Sequence, residues 1–475
     1  MGSPIIKSKI IIFIAIISNF LIFFLVLATA VLTPIPAAGQ VSYGSIKITI
    51  DHTKILSPLI NFPILINLNK ISGINSINTG AIFNELGTQY KKISIKTSGG
   101  TELYAEVEKW NNSGKEAWIW VNVPSISSTS DTVLYLNYSS SWVDNIEHIG
   151  DTGSKAAENV WNSEYKTVMH MAQDGKGEYK DSTRNHHGGT GNGVSGSPTR
   201  RPGWLEGNQF FDGNNDYISI PDSNDFSLNR SRGLTIEWWF NPTTLNFRHD
   251  SGEEHYINML GKGDYPDGWE YVFTLGGKES TVKSQEIAFY VGKPSGGIQT
   301  GGGLFHTYNI GDKIYVAGRL DAKNVYLTAY YADGFSSTDH EDYTTWDGYN
   351  NTPSNTRSSF HIGTIPTQGQ MFEGIIDEVR ISNIYRSDAW LHASYYSELD
   401  NLASYSIASV TTCPTTGDLN GNGITADAGD LVLLKHASIG KIQANSKYDL
   451  NNNGKLADAG DLVLIKAYSI TVCPL

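Results

Sequence analysis

The sequence predicts a mainly all-β chain: two β-sandwich domains, then a small α-helical module built from two loop-helix repeats. Three observations lead there. Short runs of alternating apolar and polar residues fill positions 41–140 and resume after 165, parted by Gly, Asn, Ser and Pro. The composition, with 48 Gly, 25 Tyr and 11 Trp but only 17% charged residues, suits short strands with aromatic faces and glycine turns. Near the end one phrase occurs twice, DLNGNGITADAGDLVLLK from Asp418 and DLNNNGKLADAGDLVLIK from Asp449. At 475 residues there is room for about three domains of roughly 100–200 residues each. The net charge of −13, with no cluster of Lys or Arg to neutralise phosphates, excludes nucleic acid as a partner. An acidic balance also keeps an exported protein soluble.

Export is read from the N-terminus. Lys7 and Lys9 precede an apolar run from Ile10 to Leu32, and Pro34-Ile35-Pro36-Ala37-Ala38-Gly39 follows. Residues 1–39 are thus expected to be a signal peptide or, if uncut, an N-terminal membrane anchor, since the run is long enough to span a bilayer. Either way the rest belongs outside the cell or at its surface. The two cysteines, Cys413 and Cys473, bracket the repeated phrase. In an oxidising compartment they are expected to form a disulfide. Closing a loop of about 60 residues adds roughly 4 kcal/mol in the chain-entropy model. Two Cys without nearby His are too few for zinc. Asn111, Asn137, Asn229 and Asn350 begin glycosylation sequons.

The first domain is placed at 41–145. Its clearest strands are 45–50, 62–68, 103–108, 117–123 and 132–138. The phrases ITIDHTK, NFPILINL, AEVEKWN and AWIWVNVPSISSTSDTVLYLNY resemble the domain of unknown function DUF2341. That resemblance implies an extracellular β domain, often followed by a laminin-G-like module, and no chemistry. Residues 146–164 read as a linker or packed crossover with some helical character.

The second domain, 165–400, carries more than ten short strands, among them Leu234–Phe240 and Phe372–Ile381, and suggests two packed sheets. The phrases FFDGNNDYISIPDS, LTIEWWFNP, YVAGRLDAKNVYLTAYYADG and FEGIIDEVRISNIYRSDAWLHASYYS resemble the concanavalin A-like, laminin-G-type lectin/glucanase superfamily. The resemblance implies a jelly roll, with a short helix over 387–396. It also raises the question of catalysis, because glycosidases need two carboxylates about 5–9.5 Å apart. Relatives with that activity carry an E-x-D-x-x-E strand, and this domain has none. Glu237 has no carboxylate two residues on, and Asp377 and Glu378 are adjacent, so a regular strand points them to opposite faces. No H-E-x-x-H or G-x-S-x-G occurs. No catalytic residues are therefore assigned. His186 and His187 are read as solvated turn residues. Trp238 and Trp239 must point opposite ways, and most other aromatics belong to the core. Trp269 and Trp346, in Gly- and Asp-rich stretches, are the candidate ligand aromatics. Many relatives hold a structural calcium, for which Asp174, Asp181 or Asp377 are candidates, with capping or solvated carboxylates as the alternative.

Residues 401–412 read as a linker to the tail, 413–475. In its first repeat Asp418, Asn420 and Asn422 occupy alternate positions, Gly423 allows the sharp turn, and Ile424 offers its carbonyl. Asp427 and Asp430 follow, the first to cap the exiting helix and the second to reach back to the ion. The second repeat supplies Asp449, Asn451, Asn453, Lys455, Asp458 and Asp461 in the same pattern. Two such loop-helix halves, with Asp closing each, resemble the type I dockerin domain. That resemblance implies two calcium ions and docking onto a cohesin domain of another protein. Lys435 and Lys466 match basic positions on the family's helices. Ala428-Gly429 and Ala459-Gly460 stand where dockerins usually carry a Ser/Thr pair, so cohesin specificity does not carry over as calcium binding does. A calcium cap without a partner is the plainer reading.

The expectation is an exported, non-catalytic binding protein, with a laminin-G-like domain for glycan or protein and a tail that docks in the presence of calcium. The alternatives are a dockerin-bearing component of polysaccharide degradation and a purely structural surface adhesin.

Overall fold

The computed structural model describes residues 42–412 apart from 174–177, 192–197, 202–206, 230, 248–255, 265–267, 278–284, 293–297, 305–307, 332–333, 343–355 and 366–370, together with 419–420, 428–450 and 455–462. Two compact units result: Tyr43–Thr411, which holds both sandwiches, and the tail. Residues 1–41, where the export signal is expected, and both cysteines lie outside the described residues. Among the described residues no helix is long and apolar enough to cross a membrane.

The first sandwich contains β1 (Ser42–Ile50), β2 (Leu59–Leu68), β3 (Ile93–Thr97), β4 (Ala105–Asn111), β5 (Glu116–Ile126), β6 (Thr132–Tyr138) and β7 (Ile149–Asp151). A short helix α1 (Ala81–Leu86) precedes β3, and α2 (Lys155–Glu158) follows β7. Alternation decides the inward face: Ile46, Ile48 and Ile50 of β1 are buried, while Lys47 and Thr49 between them are not. One sheet runs β2-β5-β4-β7, with β7 parallel to β4. Residues 146–164 are therefore part of this sandwich and not a spacer.

The second sandwich begins with β8 (Tyr165–Met169), β9 (Glu178–Tyr179), β10 (Gly189–Gly191), β11 (Thr199–Arg200), β12 (Gln209–Asp212) and β13 (Ile218–Ile220). It continues with β14 (Leu234–Pro242), β15 (Tyr256–Asp264), β16 (Gly268–Gly276), β17 (Ile287–Gly292), β18 (Ile298–Leu304), β19 (Ile314–Leu320) and β20 (Asn324–Tyr331). β21 (Ser336–Asp342), β22 (Phe360–Ile362) and β23 (Glu373–Ser382) complete it. One sheet runs β18-β17-β16-β15-β22-β13-β10-β9 and the other β11-β12-β23-β14-β19-β20-β21, with β8 also paired to β23. Trp238 packs between the sheets with Phe240 and Phe273. Gly318 is required opposite them, because a Cβ there would lie 2.5 Å from the Phe273 ring.

The helix α3 (Asp388–Glu398) follows β23, capped by the Ser387 hydroxyl, which accepts from the Trp390 amide. It is wedged between the sandwiches. Trp390 meets Phe62 edge-on at 4.7 Å, Tyr395 stacks on Trp239 at 5.7 Å, and the Leu65 amide donates to Ser397 at 2.8 Å. Trp239 therefore points away from Trp238, as alternation requires, yet it too is fully buried. The chain then re-enters the first sandwich as β24 (Ala403–Thr412), beside β1 in the sheet β24-β1-β6-β3. This corrects the linker expected at 401–412. Tyr405, buried at its start, exchanges hydrogen bonds with the Asn75 side chain. Asn137, in the buried part of β6, is no accessible glycosylation site.

The tail forms α4 (Ala428–Ser438) and a second helix that begins at 459, around a small core of Leu434, Ala437, Tyr448, Leu450 and Ala457.

Candidate functional site

Acidic side chains from three separate elements converge around one histidine where the β2-β5-β4-β7 sheet meets the outer face of β23 and β14. β4 supplies Glu106 and Glu108, His170 follows β8, β23 supplies Asp377 and Glu378, and α3 ends on Glu398. All of these side chains are buried. The His170 imidazole sits in the middle. Its Nδ1 lies 2.8 Å from Glu378 Oε1 and 3.7 Å from Glu108 Oε2, and its Nε2 lies 3.4 Å from Glu106 Oε2. One face of the ring stacks on Trp120 at 5.5 Å.

The carboxylates differ in what holds them. Glu106 accepts from the Thr152 hydroxyl at 2.6 Å, the Ser182 hydroxyl at 2.7 Å and the Trp161 indole at 2.7 Å. Burial pushes its pKa up, but His170 and these donors outweigh burial and hold it below the ordinary range. Glu108 accepts only from the Trp120 indole, at 2.9 Å. Its carboxyl is pushed up to about 8, chiefly by burial, with Glu378 and Glu106 adding and His170 and Trp120 opposing. Burial, Glu378 and Glu108 hold Asp377 well above the carboxylate range. Burial disfavours the charged imidazolium of His170, yet Glu378, Glu108 and Glu106 raise its pKa well above the usual 6.5. Beside the cluster Arg380 pairs with Glu398, which also accepts from the Trp239 indole, and Glu237 accepts from the Tyr315 hydroxyl. In and beside the cluster Glu108 Oε1, Glu378 Oε2, Asp377 Oδ2, Glu237 Oε2 and His170 Nε2 are buried without a hydrogen-bond partner.

Asp377 and Glu378 do not part to opposite faces as a regular strand would require. The register of β23 against β14 shifts where Glu237 pairs with Arg380 but Trp239 pairs with Asp377, leaving two residues of β23 opposite Trp238. Glu378 takes φ +51° there. The bulge lets both carboxyls contribute to one electrostatic cluster. A second register shift, in β4 between Val107 and Lys109, lies at Glu108.

Glu108 also lines an open cleft of about 310 Å³ between the sandwiches. Tyr90, Trp110, Asp151 and Thr152 form its side on the first sandwich, and Gln173 and Lys180 its side on the second. The aromatic wall is held in place. Trp110 and Tyr90 stack at 5.8 Å, the Trp110 indole donates to the Gly87 carbonyl at 2.8 Å, and the Tyr90 hydroxyl donates to Asp151 at 2.7 Å. Burial and then that bond to Asp151 push the Tyr90 hydroxyl up to about 12. An aromatic wall with convergent amide, ammonium and carboxylate groups is the usual make-up of a small-ligand site.

The residues singled out from sequence fall elsewhere. Trp204, Trp346, Asp174 and the side chain of Trp269 lie outside what the structure describes. Asp181 is bound by four local donors, the amides of Val168, Thr183 and His187 and the Thr183 hydroxyl. It organises its own loop, while Asp377 belongs to the acid cluster. His186 is exposed and lies 3.4 Å from Glu158, whereas His187 is half-buried and bonded to Asp225 at 2.9 Å. The acids of β4 were missed. Their signal was available: two Glu alternating with Ala105 and Val107 put charge on one face of a strand.

In the tail, Asp430 and Asp461 are fully buried. Asp430 Oδ1 accepts from the amides of Leu419 at 2.8 Å and Asn420 at 3.0 Å, and Asp461 Oδ1 accepts from Leu450 at 2.7 Å. Asp458 Oδ1 accepts from the amides of Gly460 and Asp461, the N-cap role expected of it. Lys435 is exposed on α4, and Lys455 and Asp449 are also described. Asp418, Asn422, Ile424, Asp427, Asn451, Asn453 and Lys466 lie outside the described residues.

Comparison with known proteins gives two partial matches. Residues 212–392 match the concanavalin A-like lectin/glucanases superfamily. Residues 89–154 match the domain of unknown function DUF2341. No curated protein is similar to the chain. Among solved structures, domain 4 of an extracellular arabinanase from Geobacillus stearothermophilus, in complex with arabinotriose, is 18% identical with a TM-score of 0.33, over 48% of this chain and 97% of that one. The binding domain of Paraclostridial Mosquitocidal Protein 1 is 12% identical with a TM-score of 0.36, over 49% of this chain and 52% of that one. The ligand binding domain of botulinum neurotoxin serotype D, in complex with N-acetylneuraminic acid, is 10% identical with a TM-score of 0.35, over 50% of this chain and 54% of that one. The chain thus spans about half the length of the two toxin domains.

Proposed function

We propose that the chain is an exported, non-catalytic binding protein that holds a saccharide in the cleft between its two sandwiches. The observation that carries this reading is the cleft itself. Trp110 and Tyr90 are fixed as an aromatic wall, and Asp151, Gln173 and Lys180 surround it with donors and acceptors suited to sugar hydroxyls. The superfamily matched by the second sandwich includes lectins, which supports the choice of ligand class. The tail, on this reading, binds two calcium ions and docks onto a cohesin-type domain of a surface or scaffold protein. The reach of Asp430 and Asp461 back to the start of each loop supports the calcium part. The test is a glycan array followed by calorimetry on the full chain. A saccharide should bind, and Trp110→Ala should weaken it about tenfold or more, the effect of removing a stacking ring. Absence of any saccharide ligand, or equal binding by Trp110→Ala, refutes the reading.

One observation favours a second reading, a polysaccharide-degrading role. Glu108, with its carboxyl pushed up to about 8, lines the cleft as a proton donor would. Release of reducing sugar that disappears in Glu108→Gln would establish it.

A further inference from the structure

We infer that Glu108, His170 and Glu378 form a divalent transition-metal site that ties the first sandwich to the second. The three offer one ligand atom each, all within 4.8 Å of one another. Bonds of about 2.1 Å from a tetrahedral ion place neighbouring ligand atoms about 3.4 Å apart. The observed Nδ1 distances of 2.8 Å to Glu378 and 3.7 Å to Glu108 bracket that spacing. One imidazole with two carboxylates suits Zn²⁺, Mn²⁺, Fe²⁺ or Co²⁺ better than calcium, which prefers oxygen alone.

Two further features point to an ion. Glu108 Oε1 and Glu378 Oε2 are buried without a hydrogen-bond partner, and Asp377 Oδ2 beside them is in the same condition. A cation would satisfy acceptors that no protein donor reaches. The other nitrogen of His170 is turned toward a fixed carboxylate: Nε2 lies 3.4 Å from Glu106, which Thr152, Ser182 and Trp161 hold, but without a hydrogen bond to it. Glu108 lines the cleft, which gives the ion a route from solvent. Nearby Arg380 is paired with Glu398 through one guanidinium nitrogen. This site differs from the calcium loops of the tail in ligand type, and from a calcium site around Asp181 in drawing on both sandwiches.

The test uses the full chain, stripped with chelator and then saturated with millimolar Ca²⁺ to fill oxygen-only loops before titration with Co²⁺. One equivalent of Co²⁺ should bind with visible d–d absorption, and His170→Asn and Glu108→Gln should each weaken it at least tenfold. The wild-type measurement decides the matter even if a variant fails to fold. No Co²⁺ bound in the presence of Ca²⁺, or unchanged affinity in folded variants, overturns the inference.

Discussion

Raising the pH should loosen the junction of the two sandwiches, the reverse of what paired surface carboxylates would do. The group to perturb is Glu108. Its carboxyl ordinarily titrates at 4.5 and is pushed up to about 8 in the folded chain, first by burial and then by Glu378 and Glu106. Between those two values the folded chain holds a proton that the unfolded chain has released, so stability falls as pH rises across the window and levels off above it. At 1.36 kcal/mol per pH unit the full displacement is on the order of 5 kcal/mol, an upper figure because water from the cleft can relax the site. His170 acts with the same sign. Its pKa is raised by Glu378, Glu108 and Glu106 against burial, so its stabilisation is complete below 6.5 and is lost as pH passes its folded value. Glu398 and Asp400, both pushed up to about 7 and both chiefly by burial, add to the slope. With metal chelated, the melting temperature followed by Trp fluorescence should drop by about 5–10 °C from pH 6 to pH 9, taking about 2–4 °C per kcal/mol. All 11 tryptophans precede the tail, so the signal reports the sandwiches. Glu108→Gln, which resembles the protonated acid, should flatten the slope. A melting temperature that holds or rises from pH 6 to pH 9, or an unchanged slope in Glu108→Gln, would refute the reasoning.

Two further outcomes follow from burial and from the tail. Trp239→Ala should cost about 3–5 kcal/mol, as Trp238→Ala should, because each ring is fully buried although they face opposite ways; a loss under about 0.5 kcal/mol by chemical denaturation would mean that α3 does not pack on Trp239 as described. Calorimetric titration of the chain with Ca²⁺ should show two equivalents bound by the tail, and Asp430→Ala with Asp461→Ala should abolish both; retention of either equivalent would break the assignment of these residues as loop-closing ligands.

Strand positions were legible because they depend on local alternation. Ile46, Ile48 and Ile50 read as one face of a strand and are one, and Trp238 and Trp239 read as opposed and are. What alternation could not say is what covers the second face. Trp239 is buried by α3, a helix about 150 residues further on, and Trp120 by His170 and Trp161. β24 was read as a linker because its Ser and Thr content suits a loop. Its edge position beside β1 needs a partner from the other end of the chain. The acid cluster was hidden for two reasons. Its members come from β4, the residue after β8, β23 and α3, so no local spacing joins them. At Glu378 a bulge also breaks the very period from which opposite faces were inferred.

The junction itself divides into two unlike halves. Around α3 it is aromatic, with Trp390 against Phe62 and Tyr395 against Trp239 and Tyr330. That half suffices for adhesion, since apolar burial stabilises without regard to pH. Beside the cleft it is acidic, and there burial of charge opposes association unless each group finds a proton, a donor or an ion. Holding two sandwiches together would be served better by extending the aromatic half. The acidic half therefore makes sense as a site whose occupancy is linked to the cleft, with Glu108 belonging to both. A saccharide in the cleft that draws on Glu108 alters the charge around His170, and whatever proton or ion sits at His170 alters what Glu108 can offer the cleft. On the two proposals taken together, the sites would be coupled through one carboxyl, and linkage would require that coupling to act in both directions.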